Sequence, residues 1–159
     1  MYYTPKYFTP QEMFSKAIWD RELSKGNAIW RLMDSRLLIT ADLIREHFCG
    51  TRRSGPIDVM TVNNWSWGGR FQYRGYRDIE LDILIPGNKF SKTSQHCFGR
   101  GLDYHFNRTT AEEVQQDILK YPQAERYQFI TGLEIGTSWV HNDFRCWDKT
   151  QFKILTFRP

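Results

Sequence analysis

The sequence predicts an α+β domain, a mostly antiparallel central sheet flanked by helices, and three observations carry that expectation. Two Thr-x-x-Glu boxes, Thr9–Glu12 and Thr110–Glu113, each open a run of helically spaced apolar residues. Helical patterns come first, and short β-branched or alternating stretches crowd into the second half, which is not the strict alternation of βαβ units. The 159 residues match a common domain size. No repeat, low-complexity tract or linker divides them, so residues 1–159 read as one domain.

The elements follow in order. Thr9 caps the first helix, Pro10 suits its first position and Glu12 closes the box, with Met13, Phe14, Ala17 and Ile18 at helical spacing. Lys25-Gly26-Asn27 breaks the chain. A longer helix is expected from about Ala28 to Phe48, where Trp30, Met33, Leu37, Ala41, Ile44 and Phe48 make one apolar face and Gly50 ends it. Cys49–Pro56 reads as a turn and Ile57–Val62 as a short buried strand. Asn63–Asn88 reads as loop, with a short helix or strand around Ile79–Ile85. Gly101–Phe106 alternates as a strand, and Thr110 opens a helix that runs to about Tyr121 and stops at Pro122. Strands near Tyr127–Ile135, Ser138–Phe144 and Phe152–Phe157 complete the sheet.

Composition excludes several function classes. Hydrophobic residues make up 40% of the chain and aromatics 16%, enough to form a core and to exclude a disordered chain. The net charge of +4 fits an acidic partner, but no Lys/Arg block exceeds Arg52-Arg53, so no nucleic-acid partner is expected. No long charge-free apolar run exists, so no membrane span is expected. Met1–Phe14 holds no apolar stretch of signal-peptide length, and the expectation is a chain made in the cytoplasm without Sec export. Cys49, Cys97 and Cys146 are odd in number and widely spaced, which fits three reduced thiols rather than a disulfide framework or a zinc finger.

Histidines and acids then pick out a candidate site. Of four histidines, His47 sits beside Glu46 in a helix, where a surface or helix-end role fits. His96, His105 and His141 lie in or beside short strands, close in sequence to Asp103 or Asp143. Period-2 alternation puts Leu102, Tyr104 and Phe106 on one face of their strand and Gly101, Asp103 and His105 on the other. In the second segment Val140 and Phe144 point one way, and Trp139, His141, Asp143 and Arg145 the other. Two His and one Asp from two such strands can supply three ligands to a tetrahedral zinc and leave a fourth position for water. Zinc so placed lowers the pKa of its water towards roughly 7 and polarises a carbonyl, the chemistry of a peptide or ester hydrolase.

Ser94–Asp103 closely resembles S-x-H-x-x-G-x-A-x-D, the first motif of the zinc D-Ala-D-Ala peptidase family. That family shares its fold with hedgehog signalling domains and includes phage endolysins that cut L-alanyl-D-glutamate bonds. Trp139-Val140-His141 resembles its second motif, W-x-H, and His141-Asn142-Asp143 the H-x-D of its phage-type branch; Phe8–Phe14 is similar to its opening helix. The resemblance implies His96, Asp103 and His141 as zinc ligands, with Ser94, His105 and Trp139 beside the substrate. It also implies a substrate-binding arginine, for which Arg77 is the match and Arg74 the alternative; an arginine fork suits a carboxylate. Two departures stand out. Gly101 replaces the family's Ala, and Ser138 stands where many members carry a catalytic Glu. A hydroxyl cannot act as general base there. Glu134, across a Gly136 turn, and Asp143 are the carboxylates that can substitute, with Glu134 slightly preferred and Asp143 orienting His141 or the water.

Two function classes follow from the resemblance. One is a zinc peptidase of peptidoglycan stem peptides or cross-links, phage-encoded, reaching the cell wall after holin release or within a virion. The other is a weakly active or inactive peptidase-fold module that associates with other virion proteins, a reading that Ser138 favours.

Overall fold

Glu12, Met13 and Phe14 give their carbonyl oxygens to the loop that follows the first strand rather than to their own helix. They accept from Asn63 N–H (3.0 Å), Tyr76 N–H (3.0 Å) and the Trp65 indole (2.8 Å). The expected opening helix is therefore two: α1 (Pro10–Met13) and α2 (Lys16–Glu22). At α1 the box forms as the sequence predicts, Thr9 N–H donating to Glu12 at 2.8 Å. Ser15 recaps α2 by accepting from Ile18 N–H at 3.3 Å, and its hydroxyl donates to the buried Asp82 at 2.7 Å. The structure, a computed structural model, describes residues 2–50, 58–83, 90–145 and 154–159. Expectations placed on 51–57, 84–89 and 146–153, Cys146 among them, lie outside the described residues.

The long helix expected from Ala28 to Phe48 also divides. Leu23–Leu32 form a 3-10 stretch, kinked where Gly26 takes φ 52°, and the chain extends at Met33 before α3 (Ser35–Cys49). Asp34 caps α3 by accepting from Arg36 N–H at 3.0 Å. The cause of the break is a distant residue. Asp34 N–H donates to Gly99 O at 2.9 Å, and Gly99, at φ 64°, packs so closely that a Cβ there would lie 2.3 Å from Leu32 O. Trp30, Leu37, Ala41 and Ile44 are nonetheless buried, as their spacing predicts. A further helix, α4 (Ala111–Lys120), opens with the second box, Thr110 N–H donating to Glu113 at 2.7 Å.

Among the described residues five strands form one sheet: β1 (Met60–Thr61), β2 (Gly101–Phe106), β3 (Gly132–Glu134), β4 (Val140–Asp143) and β5 (Leu155–Phe157), in the order β1-β2-β4-β3-β5. All neighbours are antiparallel except β3 and β5, which run parallel, so the sheet is mixed. The strand expected over Tyr127–Ile135 shrinks to β3, because Glu125–Tyr127 form a 3-10 turn that buries Tyr127 with its hydroxyl donating to Asp117 at 2.5 Å. Ile79–Ile83 form a π-helical turn.

Alternation sorts the two sheet faces as read from the sequence. Leu102, Tyr104, Val140 and Phe144 pack into the core with Leu37, Leu38, Val114 and Ile118. One polar residue shares that face: Asn142 is 1% exposed, between Leu102 and Leu133 in register, and its amide has no hydrogen-bond partner among the described residues. On the other face the register sets Asp103, His141, Glu134 and Phe157 side by side across four strands. Among the described residues, no helix is long and apolar enough to cross a membrane.

Candidate metal centre

His96 is carried by a 3-10 turn, Gln95–Phe98, that Ser94 caps and that leads directly into β2. Glycine shapes both of its ends: Gly99 turns the chain at positive φ, and at Gly101 a Cβ would stand 3.1 Å from His96 N. Asp103 follows on β2, and His141 faces it from β4. One ligand atom from each of His96, Asp103 and His141 lies within 4.8 Å of the others.

The hydrogen bonds behind the two rings decide which nitrogens face inward. His96 Nδ1 lies 2.7 Å from Gly75 O, which can only accept, so Nδ1 carries a proton and Nε2 turns to the centre. His141 Nε2 lies 3.0 Å from the Asp143 carboxylate, so Nε2 donates and Nδ1 turns to the centre. Two imidazoles fixed by a backbone carbonyl and a carboxylate on their far sides are the usual outer shell of a metal site. Two ligands at zinc distances and tetrahedral angle stand roughly 3.3 Å apart. His96 Nε2 is 3.3 Å from His141 Nδ1 and 3.3 Å from Asp103 Oδ1. The donor set and two of its three edges therefore fit a divalent ion. The third edge, His141 Nδ1 to Asp103 Oδ1, is 2.6 Å, a hydrogen bond made by a proton on the ring.

Electrostatics agree with that proton. Burial works against charging His141, but Asp103 and Asp143 on either side outweigh it and push its pKa up to about 9. Burial would raise Asp103, but the two histidines beside it hold it well below the usual carboxylate range. His96 shifts the other way, its burial favouring the neutral ring. The centre is thus a pair of carboxylates and two rings that hold a proton where a cation fits.

Asp143 is fully buried. It accepts from His141 and from the Arg145 backbone N–H and Nε (3.2 and 2.9 Å), and Arg145 in turn stacks on Phe157 at 3.9 Å. Gly132 leaves the room, since a Cβ there would lie 2.3 Å from Asp143 Oδ1. Glu134, by contrast, lines a cleft of about 580 Å³ together with the trio, Trp139 and Ser94. Its Oε2 accepts from Trp139 Nε1 at 3.2 Å, and Oε1 has no partner among the described residues. Ser138 is exposed in the turn between β3 and β4.

The two candidate arginines separate. Arg77 donates to Asp103 Oδ2 at 2.9 Å and stacks on Phe90, so it holds the outer oxygen of that carboxylate. Both line the cleft, but among the described residues Arg74 has no carboxylate at ion-pairing distance, and it donates to His105 Nδ1 at 2.6 Å. His105 therefore supports Arg74 and does not itself line the cleft. Gly75, Gly132 and Arg145 carry no motif; the nearest signal was that Arg145 shares a strand face with His141 and Asp143. No protein-family model, curated protein or solved structure matches the chain.

Proposed function

We propose that the protein is a zinc-dependent peptidase that hydrolyses a peptide bond in peptidoglycan stem peptides or cross-links. One observation carries the hydrolase part: both histidines have their outer nitrogens bound to acceptors, which turns two inner ring nitrogens and a carboxylate to one point, where His141 Nδ1 becomes a ligand once its proton leaves. The substrate class rests on the resemblance of Ser94–Asp103 and Trp139–Asp143 to the D-Ala-D-Ala peptidase motifs. So do the phage origin and action at the cell wall, after holin release or as a virion component.

A divalent ion held by His96, Asp103 and His141 would supply Lewis acidity and lower the pKa of a water in the cleft. Glu134 is the carboxylate on the cleft wall, cross-strand from His141, with an oxygen left to accept a proton from that water and return it to the leaving amine. Asp143 cannot reach the cleft; it holds the His141 ring in the tautomer that presents Nδ1. Arg77 orients Asp103 by donating to its outer oxygen.

The experiment is release of new amino groups from purified peptidoglycan by zinc-loaded protein. Glu134→Gln should retain metal and lose at least about a hundredfold in turnover, the usual scale of general-base catalysis. Asp143→Asn should lose metal affinity as well. Wild-type turnover in metal-loaded Glu134→Gln would refute the assignment of the base. Ser138, an exposed hydroxyl with no carboxylate in its place, favours a second reading: a peptidase-fold module that binds metal and serves as a virion or interaction component. Stoichiometric metal without amine release selects it.

A further inference from the structure

Past Asp103, β2 runs on to His105, and there the cleft ends in a cluster of positive charge. Arg74 lies flat on the Phe71 ring, its Cζ 3.5 Å from the centroid, and Arg70 approaches the same ring at 5.3 Å. His105 meets the Phe71 ring edge-on at 5.6 Å and accepts from Arg74 Nη1 through Nδ1. A guanidinium can only donate, so His105 carries its proton on Nε2, and that N–H has no partner among the described residues.

Arg70 and Arg74 have no carboxylate within ion-pairing distance among the described residues, although they repel each other. Asp103 is the acid whose charge acts on Arg74, and it is already bonded to Arg77 and His141. Stacking on Phe71 occupies the face of the Arg74 guanidinium and leaves the in-plane N–H donors that His105 does not take available. The backbone that carries it is also fixed: Arg74 N–H donates to Asn63 at 3.0 Å, and Arg74 O accepts from Asp103 N–H at 2.8 Å. Two like charges gathered on one ring, held in place and left without a counter-charge, are the makings of an anion site.

We propose that Arg70, Phe71, Arg74 and His105 form a binding site for an oxyanion carrying two negative charges, a phosphoryl group or a pair of carboxylates. Two guanidiniums leave two charges to balance, which a single carboxylate does not do and a phosphate at neutral pH does. His105 lies two residues along the strand from Asp103, about 7 Å away. The site is therefore separate from the metal trio, yet one molecule can reach both. It does not depend on a metal being bound.

Isothermal titration of the full chain, with and without added zinc, tests it with inorganic phosphate, malonate and acetate at low ionic strength. Saturable binding of phosphate or malonate, about tenfold or more tighter than acetate, is expected in both forms. Phosphate tighter than malonate assigns a phosphoryl group, and the reverse a dicarboxylate. Arg74→Gln should weaken that binding at least about tenfold, and Arg70→Gln, an exposed position, severalfold with no change in thermal midpoint. His141→Ala should leave it intact in the metal-free chain. No preference over acetate, unchanged binding in the two arginine variants, or its loss in His141→Ala would overturn the proposal. Absence of zinc binding would leave it standing.

Discussion

The carbonyl oxygen of Gly75 accepts from Nδ1 of His96 at 2.7 Å, and only glycine allows it to sit there. A Cβ at position 75 would lie 2.0 Å from Met13 O, the carbonyl that also accepts from Tyr76 N–H. The loop from Arg74 to Arg77 is thus pinned between the end of α1 and the turn that bears His96. Gly75→Ala is predicted to push the loop outward, release His96 Nδ1 and lower metal affinity about 10–100-fold. Competition with a chromophoric chelator measures this, with circular dichroism to show that the sheet is retained. Unchanged affinity in a folded variant would mean that the His96 ring does not depend on this carbonyl.

Metal and proton compete for His141 Nδ1. With its pKa pushed up to about 9, the metal-free ring is doubly protonated at neutral pH, and that proton must leave before a metal binds. Apparent affinity is therefore predicted to rise about tenfold per pH unit from about pH 7 to 9, then to level off. The stability contribution of charged His141 has the opposite course. Its folded pKa exceeds the unfolded value of about 6.5, so the contribution is full below pH 6.5 and is lost as pH rises through about 9. Metal affinity independent of pH between 7 and 8 would contradict the proton-filled centre.

Asp58 clamps the end of β1 to the chain after β2. It accepts from the backbone N–H groups of Val59, Asn107, Arg108 and Thr109 (2.8, 2.9, 3.0 and 2.8 Å) and from the Thr109 hydroxyl at 2.7 Å. Burial alone would raise its pKa, but those donors bring it below the ordinary value. A lowered carboxylate stabilises the fold above its unfolded pKa of about 3.9, and the contribution is lost as pH falls through the folded value. Asp58→Asn is predicted to cost about 2 kcal/mol at pH 7 and progressively less as pH drops below about 4. Urea unfolding of both proteins from pH 3 to 7 checks it, and a difference that grows on acidification would contradict it.

Asn142 occupies the apolar face of β4 with both amide atoms buried and without a partner among the described residues. An unmade hydrogen bond of this kind costs roughly 1–3 kcal/mol. Asn142→Leu, flanked by Leu102 and Leu133, is predicted to raise stability by about 1 kcal/mol and the thermal midpoint by about 2–4 °C. A lowered midpoint would show that the amide has a structural role.

Local signals in the sequence were legible, and distant ones were not. Both Thr-x-x-Glu boxes form, because a capping box is complete within four residues. The faces of β2 and β4 follow from alternation alone, and they bring Asp103 and His141 together. The helix expected through Met33 fails because Gly99 presses on Leu32, a contact that periodicity does not contain. In the same way α1 ends early because its carbonyls bond a loop fifty residues away in order of magnitude, around Asn63 and Tyr76. At the centre, the motif named His96, Asp103 and His141. Which nitrogen of each ring faces inward depends on Gly75 and Asp143, and which of the two arginines pairs with Asp103 is decided by contacts that no motif contains.

Zinc content of the purified protein, compared with His96→Ala and His141→Ala, tests the central claim most directly. After zinc loading and removal of free metal, elemental analysis should find about one equivalent in the wild type and almost none in either folded variant. A full equivalent retained by both variants, or none in the wild type, would contradict a metal centre at His96, Asp103 and His141.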